Sequence, residues 1–175
     1  MKLPNVQWQE VDLAEAKALR QAFAGFATGV AIVTCFNQNK EPVGLTINSF
    51  SSVSLEPALV LWSLVNHSPS RDVFEQAEYF AINIVSAEQQ SICQNFAKSQ
   101  ENKFQFGDWN LNTLAPVLEG SVVQFVCRKH QQIEAGDHQI FLGEIQNCRY
   151  SNQEPLLFCK GQFNTLPTPQ LQEAG

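Results

Sequence analysis

The sequence predicts a mainly β domain, mostly antiparallel, with helices interleaved singly between the strands and the sheet closed or partly closed into a barrel. Three observations predict it. Apolar or alternating runs recur at 30–36, 58–65, 79–85, 120–133, 138–150 and 155–163, about six strands in all. Most successive runs are joined by connections too short for the crossover that parallel pairing requires. The run ALVLWSLV, 58–65, is nearly all apolar, as a strand buried on both faces or lining a barrel interior would be, and closure removes the edges such strands would expose.

Taken in order, 12–27 reads as an opening helix, with capping-box spacing between Asp12 and Glu15 and helical periodicity at Leu13, Ala16, Leu19, Phe23 and Phe26. Gly29 marks its end. The β-branched run VAIVTCF is followed by the turn-rich Asn37-Gln38-Asn39-Lys40 and an extended segment from Val43, a hairpin signal. Ser70 is placed to cap a short helix through Gln76, and Ser86 with Gln89 makes a capping box that opens a helix to about Lys98. The stretch 99–118, with Gly107 and Pro116, reads as long and irregular. In 120–133, Val123, Phe125 and Cys127 alternate with Gln124, Arg128 and His130. Gly136-Asp137 is a hairpin turn ahead of the strand that begins at His138.

Composition narrows the function. With 175 residues, 44% hydrophobic and 16% charged, the chain is expected to form one domain over 1–175, its core at about 22–163 and a flexible tail at 164–175. A net charge of −6 disfavours nucleic acid and anionic lipid as partners. Neither a signal peptide in MKLPNVQWQE nor a run of the roughly 20 apolar residues that a membrane span needs is found, so a cytoplasmic protein is expected. The five cysteines stand singly in apolar segments, without metal or redox spacing, and read as reduced and mostly buried. No GxSxG, GxGxxG or P-loop is present, which sets aside a serine nucleophile, a Rossmann site and a Walker site.

What remains is polar and clustered. The segment GLTINSFSSVSLEP reads as a binding loop dense in small hydroxyls, at Thr46, Ser49, Ser51, Ser52 and Ser54, beside Asn48. Such hydroxyls and free N–H groups bond phosphate oxygens or the carbonyls of a planar heterocycle; structurally, they would bond their own turn. Ser63, Ser68 and Ser70, followed by Arg71, lie where a strand gives way to a helix start, which favours anions. His138, emerging from its turn, could donate a hydrogen bond to a bound ring or amide.

In order along the chain, FATGVAIVT, GLTINSFSSVSLEPALVL, YFAINIVSAEQQ, LEGSVVQFVCR and AGDHQIFLGEI resemble the flavin reductase-like family, through TxNSFxSVSLxP combined with GDH. The resemblance implies an FMN-binding split β-barrel, usually a homodimer, that transfers hydride from NADH or NADPH to FMN or FAD and often supplies reduced flavin to a monooxygenase. It implies a flavin-contacting loop at Thr46, Asn48, Ser49, Phe50 and Ser51, a phosphate or ribityl contact at Ser63, Ser68 and Ser70, a further approach at Phe96 and Ala97, and His138 beside the nicotinamide. No metal is implied. KFQFGDWN and the tail after Leu166 depart from the family pattern, and Phe163 stands where relatives often have Tyr. The alternatives are a protein holding FMN tightly without using reduced nicotinamide directly, and a non-enzymatic flavin-binding module.

Overall fold

The computed structural model describes residues 6–167. Seven antiparallel strands form the main sheet: β2 (Ala31–Phe36), β3 (Pro42–Ile47), β4 (Ser51–Leu55), β5 (Ala58–Val65), β6 (Tyr79–Ile84), β9 (Val123–Ala135) and β10 (His138–Tyr150), in the spatial order β3-β2-β6-β9-β10-β5-β4. A small sheet joins β1 (Thr28–Gly29), β11 (Leu157–Cys159) and β12 (Gln162–Asn164), and β7 (Trp109–Asn110) pairs β8 (Val117–Leu118). The helices are short: α1 (Ala16–Phe23), α2 (Arg71–Gln76) and α3 (Gln90–Phe96). None of the helices among the described residues is long and apolar enough to cross a membrane.

The sheet curls around an aromatic centre. Trp62 of β5 lies opposite Phe141 of β10, their rings stacked 4.6 Å apart, while Phe74 and Phe80 meet the indole edge-on at 5.0 and 5.9 Å. Offset stacks and edge contacts suit the aromatic quadrupole and fill the interior. Gly143 is required there, because a Cβ would fall on Phe80 Cζ and lie 2.8 Å from Cys127 Cβ. Among the described residues the barrel does not close: β3 pairs only β2, and β4 pairs only β5, over 58–61. The two ends of the sheet are joined covalently by Asn48, Ser49 and Phe50, and Phe50 packs its ring on Phe125 at 5.5 Å.

Several expectations are revised. The segment GLTINSFSSVSLEP is strand on both sides of a three-residue crossing, with Ser49 in the crossing and Ser51, Ser52 and Ser54 carried by β4. The opening helix covers only Ala16–Phe23, has no capping bond from Glu15 and buries no residue. Its Leu13, Phe23 and Phe26 stand in solvent, so periodicity there reported an apolar face with nothing packed on it. The Ser86–Gln89 capping box is present, but opens on a 3-10 turn and ends in α3 at Phe96. The run 155–163 is two strands, β11 and the start of β12. Of the tail 164–175, Asn164 ends β12 and residues 168–175 lie outside the described residues.

The stretch 99–118 is packed. Ala115, Val117 and Leu118 are buried, and Phe104 and Trp109 close on Phe96 at 5.1 Å each, forming a second core outside the sheet. Buried polar groups tie it down: Thr34 Oγ1 donates to the Pro116 carbonyl at 2.5 Å, and Asn83 Oδ1 accepts the Leu118 N–H at 2.9 Å. Such groups would be costly to bury unpaired.

Candidate functional site

The opening between β3 and β5 is where the chain leaves backbone groups unpaired. Past Leu61, β5 has no β4 partner, and the far edge of β3 has no strand partner among the described residues. Ser49 reaches across this split: its Oγ accepts the Ser63 N–H at 3.0 Å and donates to the Ser63 carbonyl at 3.1 Å. A hydroxyl has one proton, so Ser49 retains acceptor capacity only. The same holds for Thr46, whose Oγ1 donates to the Cys93 carbonyl at 2.6 Å and pins α3 to β3. Ser51 spends its proton on the Ser52 carbonyl at 3.1 Å, and Asn48 is exposed at the head of the split.

Donors for an anion gather at the other end. A cleft of about 770 Å³ is lined by Gly44, Ser70, Gln100, Asn102, Lys103 and Phe104 among others. Ser70 occupies the N-cap of α2 without making a capping bond, contrary to the expectation that it serves the helix, and Ser68 Oγ only accepts, from the Ser70 N–H at 3.3 Å. Arg71 is drawn aside, its Nε 2.6 Å from Glu75 Oε1. Lys103 takes the place foreseen for it. Its ammonium donates to the Phe96 carbonyl at 3.2 Å and reaches the Gly44 carbonyl at 3.5 Å, leaving a third N–H, and burial lowers its pKa. Phe96 itself is 1% exposed, its ring spent on Gly44, Phe104 and Trp109, whereas Ala97 is exposed.

His138 stands at the edge of this region, in register with Val65, two residues along β5 from Ser63. Its Nδ1 lies 2.7 Å from Asp137 Oδ1; the hydrogen bond from His138, reinforced by charge, holds the Asp137 carboxyl below its ordinary value. An ionised Asp137 accepts, so Nδ1 carries the proton of this bond and Nε2 is left for a ligand, an acceptor in the neutral ring and a donor in the protonated one. The hairpin is clamped to the β5–α2 loop by Asn66, whose N–H donates to the Asp137 carbonyl at 2.8 Å and whose side chain donates to the Gly136 carbonyl at 3.1 Å.

A family model described as flavin reductase like domain matches residues 23–167. The chain belongs to the flavin reductase-like family. It is 36% identical over 164 residues, 93% of either chain, to FMN reductase (NADH) SmoA of Agrobacterium fabrum. It is 33% identical over 163 residues to the flavin-dependent monooxygenase reductase subunit HsaB of Rhodococcus jostii, covering 89% of this chain and 83% of that one. Among solved structures, the Streptomyces globisporus NADH:FAD oxidoreductase SgcE6, in complex with NAD and FAD fragments, superposes with a TM-score of 0.87 at 34% identity, over 94% of this chain and 99% of that one. Against two longer relatives the chain spans 48% and 50% of their length.

For a member of the flavin reductase-like family, the donor set of the split fits a flavin. Acceptors at Ser49 and Thr46 suit its ring N–H and ribityl hydroxyls, and Ser68, Ser70 and Lys103 suit its phosphate. Sequence reasoning missed Lys103. The aromatic spacing of Phe96, Phe104 and Trp109 could have shown that this lysine is held by a packed segment.

Proposed function

We propose that the chain is a flavin reductase that transfers hydride from NADH to FMN or FAD in the split and supplies the reduced flavin to a separate monooxygenase. The observation that carries this reading is the split, with two unpaired strand edges, acceptor hydroxyls along it and a lysine-bearing cleft at one end. The relatives named for NADH-dependent FMN reduction and for a monooxygenase reductase subunit support it.

A bound flavin supplies the ring that accepts the hydride; the chain binds, orients and shields. Lys103, Ser68 and Ser70 hold the phosphate end, with charge-assisted bonds stronger than neutral ones. Ser63 lines the split between the two ends, and Asn48 with Ser51 marks its head. Phe50, braced on Phe125, forms an apolar wall that keeps water from the reacting faces. Asp137 fixes the His138 tautomer, and Nε2 accepts an N–H of the nicotinamide carboxamide, which aligns the donor ring. Ala97 contributes exposed surface at the end of α3 and Phe96 its buried support.

The reading extends to a homodimer. On the outer face of β5, β9 and β10, Leu61, Val65, Ile133, Ile140 and Leu142 make an apolar stripe next to Ser63 and His138, and a second copy covers it, shielding the split. Residence in the cytoplasm follows from the use of reduced nicotinamide, and NADPH is the alternative hydride donor. The test is an anaerobic absorbance trace with FMN or FAD and each nicotinamide in turn. Bleaching of the flavin by NADH is expected; a yellow protein left unbleached by either nicotinamide would refute the reductase reading.

A further inference from the structure

The turn that delivers His138 is held by hydrogen bonds more than by packing. A Cβ at Gly136 would have nothing within 4 Å, and the Asp137 and His138 side chains are 88% and 45% exposed. Ala135 is matched with His138 across the hairpin, so the carbonyls of the two central residues, Gly136 and Asp137, lie outside the β9–β10 ladder. Asn66 takes both. Its backbone N–H donates to the Asp137 carbonyl at 2.8 Å, and its side-chain amide donates to the Gly136 carbonyl at 3.1 Å. Asn66 follows Val65, the residue of β5 in register with His138, so one loop residue grips the turn from the neighbouring strand. The side chain makes this contact at some expense. Asn66 Oδ1 is buried and meets no hydrogen-bond partner among the described residues, a state that an apolar side chain of the same shape would not incur. Packing and polar satisfaction therefore do not account for an asparagine here, whereas the geometry it imposes on the turn does.

We infer that Asn66 is a positioning residue for the nicotinamide: by fixing both carbonyls of the Gly136-Asp137 turn it sets the Asp137 carboxylate against His138 Nδ1, and so the direction in which Nε2 faces a ligand. The inference rests on the reductase reading for what His138 binds. The linkage is short. Asp137 Oδ1 lies 2.7 Å from His138 Nδ1, and Asp137 is also the residue whose carbonyl Asn66 holds, so a turn freed from Asn66 swings the carboxylate that orients the ring. Ser68 and Ser70 ride on the same loop, but their bonds do not pass through the Asn66 side chain. The Ser68 N–H donates to the Val65 carbonyl at 3.0 Å and the Ser70 N–H to Ser68 Oγ at 3.3 Å, which leaves the flavin end in place when that side chain is changed.

Asn66→Leu keeps the shape and the backbone bond, and removes the side-chain donor together with the unpaired oxygen, while the Gly136 carbonyl at its exposed turn takes water instead. The variant should melt within about 2 °C of wild type and bind FMN with an unchanged Kd. With flavin saturating, its KM for NADH should rise about ten-fold, the scale of one hydrogen bond, at unchanged kcat. Asn66→Ala, which adds no volume, should raise the KM alike. In a His138→Ala background Asn66→Leu should add nothing, because a residue that acts through His138 has no separate effect once the imidazole is gone. Nitrogen NMR of the imidazole in alkaline buffer reads the positioning without turnover: wild type holds the proton on Nδ1, and Asn66→Leu moves it toward Nε2. An unchanged KM for NADH, additive effects of the two substitutions, or unmoved imidazole signals would each overturn the inference. So would a Tm that falls together with FMN affinity in both Asn66 variants, which would make the residue a structural one. If wild type oxidises neither NADH nor NADPH, the reductase reading fails and the imidazole signals alone decide whether Asn66 positions His138.

Discussion

Replacing Ser49 by Ala separates a clamp from a ligand. The variant deletes two hydrogen bonds, of 3.0 and 3.1 Å, that tie the chain crossing to β5, and leaves the N–H and carbonyl of Ser63 without that partner. Each bond contributes a net 0.5–1.5 kcal/mol or so, and because the pair is half-buried, water recovers part of the loss, leaving about 1–2 kcal/mol. For a chain of this length that lowers Tm by about 2–8 °C. Since the Ser49 proton is already donated, a flavin loses at most one accepted bond, and the Kd for FMN should rise about ten-fold or less. Thermal unfolding and a fluorescence titration with FMN read the two effects side by side. A Tm within about 1 °C of wild type, combined with abolished FMN binding, would show that the hydroxyl is a direct ligand and would refute the clamp.

Other substitutions probe the remaining parts of the site and core. Lys103→Met should weaken FMN and FAD at least ten-fold or so while leaving riboflavin, which has no phosphate, unaffected in the same titration. His138→Ala should raise the KM for NADH with flavin affinity intact, and unchanged steady-state kinetics would remove His138 from the site. Gly143→Ala drives a methyl onto Phe80 and Cys127 and should cost about 1–3 kcal/mol in urea unfolding. Burial pushes the thiols of Cys35 and Cys127 up to about 12 and that of Cys93 to about 11, against 9.0 unperturbed. Their contribution to stability is therefore complete below pH 9 and lost as pH rises toward 12. At mildly alkaline pH, native protein should label at exposed Cys148 and not at these three, all of which label after unfolding.

Much of the barrel is legible in the sequence because burial leaves a period in it. β5 and β10 occupy 58–65 and 138–150 as read, one from its apolar run and the other from a turn of known chemistry. The segment holding the crossing is harder. Its serines resemble a loop, and only pairing with β5 makes β4 a strand. Ser70 illustrates a different difficulty: capping residues and anion-binding residues are the same types, and the absence of a capping bond is a fact of geometry. That Lys103 and not Arg71 lines the cleft is equally non-local, since Glu75 claims the guanidinium while the ammonium lies over the Phe96 ring that Phe104 and Trp109 brace. The apolar face of α1 was visible as periodicity, but periodicity does not say what covers it.

The central claim is that the open edges of β3 and β5 are the seat of the flavin, and hydrogen exchange with and without FMN tests it most directly. Unpaired edge amides exchange rapidly, so ligand protection is readily seen against them. The account predicts FMN-dependent slowing in 43–51, 63–70 and around Lys103, with the interior strand β6 unchanged. Protection confined to other segments, with these still exchanging freely at saturating FMN, would contradict it.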